Sequence, residues 1–276
     1  KELLEGIISL ITPAIKNAKL YQEILEKTNE LENKNKMIAK DLKMAMKLQT
    51  NFISGDYKKI NKLSFDIVYD PMIEVGGDIY DIVLMKPDYC RVFLADATGH
   101  GIQAALTTMI IKTEYDKIKQ LDIQPVQVLE ILNNEFFRNY FNLNVFFSGA
   151  VVDIDLKKNE LIYASAGHPD QYLISSQNIE ILQVGGKLLG VQENADFRQI
   201  KNCFQKNDKL ILFTDGLFEE FSAKGELFGE ERLLKLIEKH KKESNLILIQ
   251  AIMRELKGWI GKTPINDDIT FIGIQR

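Results

Sequence analysis

Hydrophobic and polar residues follow two different rules along this chain, and the rule changes near residue 54. Stepping alternately by four and three from Leu3 meets Leu3, Ile7, Leu10, Ala14, Asn17, Tyr21, Ile24, Thr28, Leu31, Asn35, Ile38, Leu42, Ala45, Gln49 and Phe52, and eleven of these fifteen are apolar. Apolar residues recurring about every 3.5 positions keep one stripe of a helix facing a partner helix, so residues 1–53 read as a helical coiled-coil linker that pairs two copies of the chain. A single amphipathic helix lying on its own domain is the alternative, and a seam of about seven heptads weighs against it. Asn35 falls at an a position, where a buried asparagine sets register and favours a dimer. Pro13 lacks a backbone donor and crowds the preceding turn, so a kink or a helix restart is expected near Thr12.

From Leu63 onward the pattern shortens into strand-like runs: LSFDIVYD, DIYDIVLM, CRVFLAD, VFFSGAVVDID, ELIYASAG, QYLIS, NIEILQV, KLILFTD and ITFIGI. They are rich in Val, Ile, Phe and Tyr, and Gly, Asp and Asn separate them. Helical stretches stand near 101–119 and 125–139, and two more near 230–241 and 244–258. Strands predominate and helices come in pairs. That order predicts an α+β fold, stacked sheets with helices packed outside, over residues 54–276.

Composition narrows the function. The chain has 276 residues, a net charge of −4 and no basic block, which argues against nucleic acid as a partner. Cys90 and Cys203 are far apart and form no CxxC pair, so neither a disulfide framework nor a zinc knuckle is expected, and a reducing cytoplasm is the plain reading. No apolar run reaches membrane-spanning length and no signal peptide is visible. The first residue is Lys1, inside a helical pattern, which suggests that the chain continues upstream.

The chemistry sits where apolar runs end. Asp78 follows two glycines in EVGGDIYD, Asp96 ends RVFLAD, Asp215 ends KLILFTD, and Asp267 and Asp268 precede the last run in NDDITFIGI. One such aspartate is usually a turn residue. Several converging at one end of a sheet would repel one another unless protonated or neutralised by cations, and hard oxygen ligands suit Mg²⁺ or Mn²⁺. Gly76, Gly77, Gly99, Gly101 and Gly216 leave room for the backbone to approach ions and a phosphate. A site of this kind favours two-metal hydrolysis.

Taken in order, GGDIYD, DATGHG with its Ala-containing helix, YASAGHP, LFTDG, FGEERL and DDIT resemble the metal-dependent PPM (type 2C) protein phosphatases, and more narrowly their bacterial SpoIIE/RsbU branch. The resemblance covers about residues 60–276, and DLKMAMKLQTNF resembles the helix that leads into this branch. LLEGIISLITPAIKNAKLYQEI is similar, more weakly, to the last helix of a GAF sensor domain. The resemblance implies a central antiparallel β-sandwich flanked by helices, two Mn²⁺ or Mg²⁺ ions at one edge, and hydrolysis of phosphoserine or phosphothreonine on a protein. By motif, Asp96 would bridge both metals with the Ala97 carbonyl on one, Asp215 and Asp267 would bind the other, and Asp78 would complete the set. Asp268 would orient its neighbour. The catalytic pair would be Asp96 and Asp215.

The family motif Asp-x-Ser-Gly-His-Gly has Thr98 in place of Ser, which keeps a hydroxyl. Eukaryotic relatives carry a histidine two residues after the bridging aspartate; here the nearest is His100, so it is read as holding the loop and no general acid is assigned. His168 is given a similar loop role, and His240 reads as surface. The resemblance further implies a phosphorylated anti-sigma-factor antagonist of the STAS type as substrate. A catalytically silent phosphoprotein-binding scaffold is the alternative, and the full set of carboxylates weighs against it. A dimerising helix in residues 20–53 would set the helices near 101–139 and so regulate the site.

Overall fold

A computed structural model describes residues 2–53, 59–72, 75–99 and 101–276. The chain divides into two compact units, Lys1–Lys47 and Leu48–Arg276. Helix α1 runs Glu2–Ile53 and contains Pro13, so no restart occurs at Thr12. Loss of one hydrogen bond does not end a helix that continues on both sides. Within the first unit the seam residues Tyr21, Ile24, Leu31 and Ile38 are 70, 61, 59 and 54% exposed. Glu23–Lys27 and Glu30–Lys34 pair one turn apart along the same helix.

The second unit stacks two antiparallel sheets. The strands are β1 (Lys59–Ile60), β2 (Leu63–Asp70), β3 (Asp78–Lys86), β4 (Tyr89–Ala97), β5 (Phe147–Asp155), β6 (Glu160–Ala166), β7 (Gln171–Ile174), β8 (Ile179–Leu182), β9 (Arg198–Cys203), β10 (Lys209–Phe213) and β11 (Ile269–Gln275). One sheet has the order β1-β2-β11-β10-β7-β8 and the other β3-β4-β5-β6-β9. Helices α2 (Ile102–Ile118) and α3 (Pro125–Tyr140) cover the five-stranded sheet, while α4 (Glu230–His240) and α5 (Asn245–Ile260) serve the six-stranded one.

Period-two alternation explains the layering. On β10, Leu210 and Leu212 enter the core between the sheets, while Ile211 and Phe213 enter the core under α4 and α5. On β11, Ile272 and Ile274 take the first side, and Ile269 and Phe271 the second. A sheet covered on both faces needs apolar residues at both parities, which is why KLILF and ITFI read as unbroken apolar runs. The nine strand runs and four helices expected from the sequence are all present. β1 and β9 were not expected: β1 has two residues, and β9 (RQIKNC) is a polar edge strand without apolar alternation.

Candidate functional site

Asp78 opens β3 and Asp96 lies near the end of β4, and the antiparallel register places them directly opposite each other. Such partners have Cβ atoms about 4.5–5.5 Å apart, so two carboxylates share one face. Ala97 follows Asp96 and donates its N–H to the Gly77 carbonyl at 2.9 Å. A Cβ at Gly77 would stand 3.1 Å from the Ala97 carbonyl oxygen, so a larger residue there would crowd that oxygen. In the other sheet β10 and β11 pair Phe213 with Phe271. The end of β10 and the start of β11 therefore share an edge. Asp215 opens a short 3₁₀ turn just past β10, and Asp267 and Asp268 directly precede β11. Gly216 is packed against this second loop so closely that a Cβ would collide with the Asp268 carbonyl.

Two threonines join the sheets at this point. Thr214 and Thr270 each donate a hydroxyl to Asp78 Oδ2 at 2.7 Å, and the Thr270 N–H donates to Thr214 Oγ1 at 3.0 Å. The other oxygen of Asp78, Oδ1, is buried and has no partner among the described residues. A buried carboxylate oxygen without a donor is costly and calls for a cation or a proton.

The charge balance points the same way. Burial, with added repulsion from Asp268 and Asp215, holds the Asp78 carboxyl well above the usual carboxylate range despite its two threonine donors. Burial and the charges of Asp78, Asp215, Asp267 and Asp268 push Asp96 up to about 10. Asp267 is raised to about 6, mainly by burial and with Asp215 as the largest charged neighbour that raises it. Asp215 is raised by burial and by Glu219. Among the described residues no lysine, arginine or histidine offsets this set.

Further residues hold the carboxylates: Asp268, which the sequence had marked, and Gln49 and Glu220, which it had not. Asp268 accepts from the backbone N–H groups of Met72 (2.7 Å) and Gly77, so it orients the loop before Asp78. Its own backbone N–H donates to Asp267 Oδ1 at 2.8 Å and so holds the neighbouring carboxylate. Gln49, which its spacing placed on the coiled-coil seam, is buried in the second unit. Its amide donates to the Gly76 carbonyl (2.6 Å) and to Thr108 Oγ1 (2.9 Å), and its Oε1 accepts the Gly76 N–H at 3.1 Å. Glu220 is fully buried beside Asp267. Neither Gln49, one of four polar residues at seam spacing, nor Glu220, beside a like glutamate, carried a sequence signal for these roles.

Thr98 ties its loop down by donating both N–H and Oγ1 to the Phe146 carbonyl, at 3.1 and 2.9 Å. Gly99 follows at φ +101° with open space around it, and His100 lies outside the described residues. His168 is buried, with Nδ1 2.8 Å from the hydroxyl of Ser148, which stands across from Asp96 on β5. Burial lowers its pKa to about 4, so it is neutral at physiological pH. His240 is half-buried and sits 3.3 Å from Glu243.

Among the described residues no three His, Cys, Asp or Glu side chains form a closed ligand set. The donors nevertheless suit a hard divalent ion: carboxylate oxygens at one edge, an orphaned Asp78 oxygen and, among the described residues, no cation that shifts these carboxyls. Mg²⁺ in particular keeps several waters and is held by one or two carboxylates, so an open ligand set is the ordinary form of such a site.

Comparison with known proteins gives the family and the fold. The family model described as Stage II sporulation protein E (SpoIIE) matches residues 86–276. The phosphoserine phosphatase RsbU of Bacillus subtilis (strain 168) is 28% identical over 241 residues, covering 87% of this chain and 71% of RsbU. The SiaA-PP2C domain of Pseudomonas aeruginosa superposes with a TM-score of 0.78 at 22% identity, over 88% of this chain and 98% of that one. RsbX, solved in complex with magnesium, gives a TM-score of 0.58 at 17% identity, over 77% of this chain and 94% of that one. At these identities the two structural likenesses are likenesses of fold.

Proposed function

The chain belongs to the SpoIIE family of PPM serine/threonine phosphatases, and on that premise we propose that Leu48–Arg276 hydrolyses phosphoserine or phosphothreonine on a protein with divalent cations as cofactor. The observation that carries the reading is the buried, unbalanced carboxylate set with its orphaned Asp78 oxygen. Two bound Mn²⁺ or Mg²⁺ ions would supply Lewis acidity toward the phosphoryl group and a water acidic enough to attack near neutral pH. Asp78, Asp96, Asp215, Asp267 and the Ala97 carbonyl would hold them. Magnesium in the RsbX structure supports the choice of ion class. Thr214 and Thr270 fix which Asp78 oxygen faces the site, and Asp268 holds the Gly76–Gly77 turn behind it. Neither cysteine lies near these carboxylates in the strand register, so no thiolate nucleophile is part of the reading.

The substrate we propose is a phosphorylated anti-sigma-factor antagonist of the STAS type, by analogy with the RsbU branch. The test is Mn²⁺-dependent hydrolysis of p-nitrophenyl phosphate and of a phosphorylated STAS domain. Wild type turns over and Asp215→Asn does not. A wild type inert with both Mn²⁺ and Mg²⁺ would instead make the chain a phosphoprotein-binding scaffold.

We also propose that α1 pairs two copies, since Ile24, Leu31 and Ile38 stand exposed at seam spacing. Light scattering of the intact chain should give a dimer mass, and removal of residues 1–47, which spares Gln49, a monomer. Dimeric mass in both would refute the seam.

A further inference from the structure

Glu220 is the most deeply buried carboxylate near the site, with 0% exposure. Its neighbour Glu219 is exposed, so two adjacent glutamates have opposite environments. Burying a carboxylate is unfavourable unless donors surround it. Here three do. Glu220 Oε1 accepts the backbone N–H of Asn266 at 2.7 Å and of Asp267 at 3.2 Å, and Oε2 accepts from Asn266 Nδ2 at 3.2 Å. Among the described residues no ion pair to Glu220 accompanies these bonds, so its charge is met by the loop's N–H groups alone.

The same bonds set the shape of the metal-ligand loop. With the Asp267 N–H held by Glu220 and Asp267 Oδ1 committed to the Asp268 N–H, Oδ2 is the oxygen left for a cation. Asp268 in turn grips Met72 and Gly77. A relay of carboxylate-to-backbone bonds thus starts at Glu220 and ends at the turn before Asp78. Its anchor is firm: the Glu220 carbonyl accepts from the Phe228 N–H at 2.8 Å, closing the hairpin in which Phe221 bridges to Leu227. Phe228 packs edge-on to Trp259 of α5, with the Arg232 guanidinium 3.9 Å above the indole.

We infer that Glu220 is a positioning residue for the cation held through Asp267: it fixes the loop backbone, and with it the side chain that ligates. The inference rests on the proposed metal site and deepens it. It also assigns the hairpin 218–229 a task, since any shift of that hairpin moves Asp267 through Glu220.

The test measures Mn²⁺ binding to the intact chain by calorimetry for wild type, Glu220→Ala, Glu220→Gln, Asp267→Asn and the double variant Glu220→Ala/Asp267→Asn, with circular dichroism to confirm folding. Loss of a group that orients a ligand typically weakens binding about 10- to 100-fold, and that is expected for Glu220→Ala. Glu220→Gln keeps an acceptor for the Asn266 N–H but sets its amide against Asn266 Nδ2, so a smaller loss is expected; it carries the test should the alanine variant fail to fold. Because both residues act through one ligand, the double variant should bind no more weakly than Asp267→Asn, within about 3-fold. Turnover at saturating Mn²⁺ should change less than the Mn²⁺ concentration required for half-activity. Wild-type affinity in folded Glu220→Ala or Glu220→Gln, or losses that add in the double variant, would overturn the inference while leaving the metal site standing. Wild-type affinity in Asp267→Asn would overturn the site assignment itself.

Discussion

The strands β3, β4 and β5 carry a charged cluster at each end, and the two clusters are built on opposite principles. At one end Arg91 and Asp153 are both buried and meet at 2.7 Å, and the Arg91 guanidinium also donates to the carbonyls of Lys119, Leu121 and Ile123. Beside them Asp81 pairs with Lys112 at 3.1 Å and Lys119 at 3.0 Å. At the other end, three residues before Asp81 and five after Arg91, stand Asp78 and Asp96 with no basic partner among the described residues. Asp78 is as deeply buried as Arg91 and Asp153 and Asp96 is half-buried, so the main difference is one of charge balance. The first cluster is complete within the chain and pins the α2–α3 connection to the sheet. The second has no basic partner among the described residues and must be relieved by protons or by an added cation, which fits the divalent-ion site proposed above.

That contrast can be broken from either end. The largest effect expected is at Asp96: Asp96→Asn should lower Mn²⁺-dependent hydrolysis by about 10³-fold or more, roughly 4 kcal/mol of transition-state stabilisation. The same substitution should raise the melting temperature of the metal-free protein near neutral pH, because it removes a carboxyl that must take up a proton to be buried there. A lower metal-free melting temperature would show that Asp96 is not in an unbalanced site.

At the balanced end the sign reverses. Asp153→Asn strands a buried guanidinium and should cost about 3 kcal/mol or more in urea unfolding, whereas Arg91→Met with Asp153→Leu should recover most of it. Equal stability of wild type and Asp153→Asn would remove the claimed contrast.

Smaller, and specific to the unbalanced end, is a pH effect. Asp267 near 6 and Asp96 near 10 hold protons in the folded state that the unfolded chain releases around pH 4. Their contribution to metal-free stability is therefore full below about pH 4 and declines as pH rises through 6 and beyond. Thermal melts in EDTA from pH 4 to 8 should show that decline, and saturating Mn²⁺, which favours the ionised carboxylates, should abolish it. A metal-free profile that rises over this range would contradict the charge assignment.

The smallest change is expected at Gln49. Gln49→Ala leaves the Gly76 N–H and carbonyl without their side-chain partner and should cost about 1–3 kcal/mol. Mn²⁺ titration should show weaker binding with the fold intact. Unchanged stability and affinity together would mean that the end of α1 does not support the Asp78 loop.

Much of this was legible in the residues. Runs such as RVFLAD and KLILFTD announced strands ending in an aspartate, because a strand covered on both faces leaves no polar position until it emerges. The polar strand β9 was not legible, since an edge strand meets water and carries no apolar alternation. Gln49 was assigned to the seam by period, because spacing along a helix cannot say where one partner surface stops and another begins. Glu219 and Glu220 are adjacent and alike in sequence, and only the hairpin decides which one turns inward.

The chain alone thus determined the alternation that builds the two sheets, the heptad spacing of apolar residues in α1 and the identity of the acidic residues, since all three are properties of neighbours along the backbone. The tertiary structure alone decided which oxygens of those residues are used. Asp78 finds its threonine partners 136 and 192 positions away, and those two bonds take Oδ2 and leave Oδ1 without a partner among the described residues. Contacts at that separation exist only once the sheets have stacked, because the packing of two layers, and not local propensity, brings the ends of β3, β10 and β11 together.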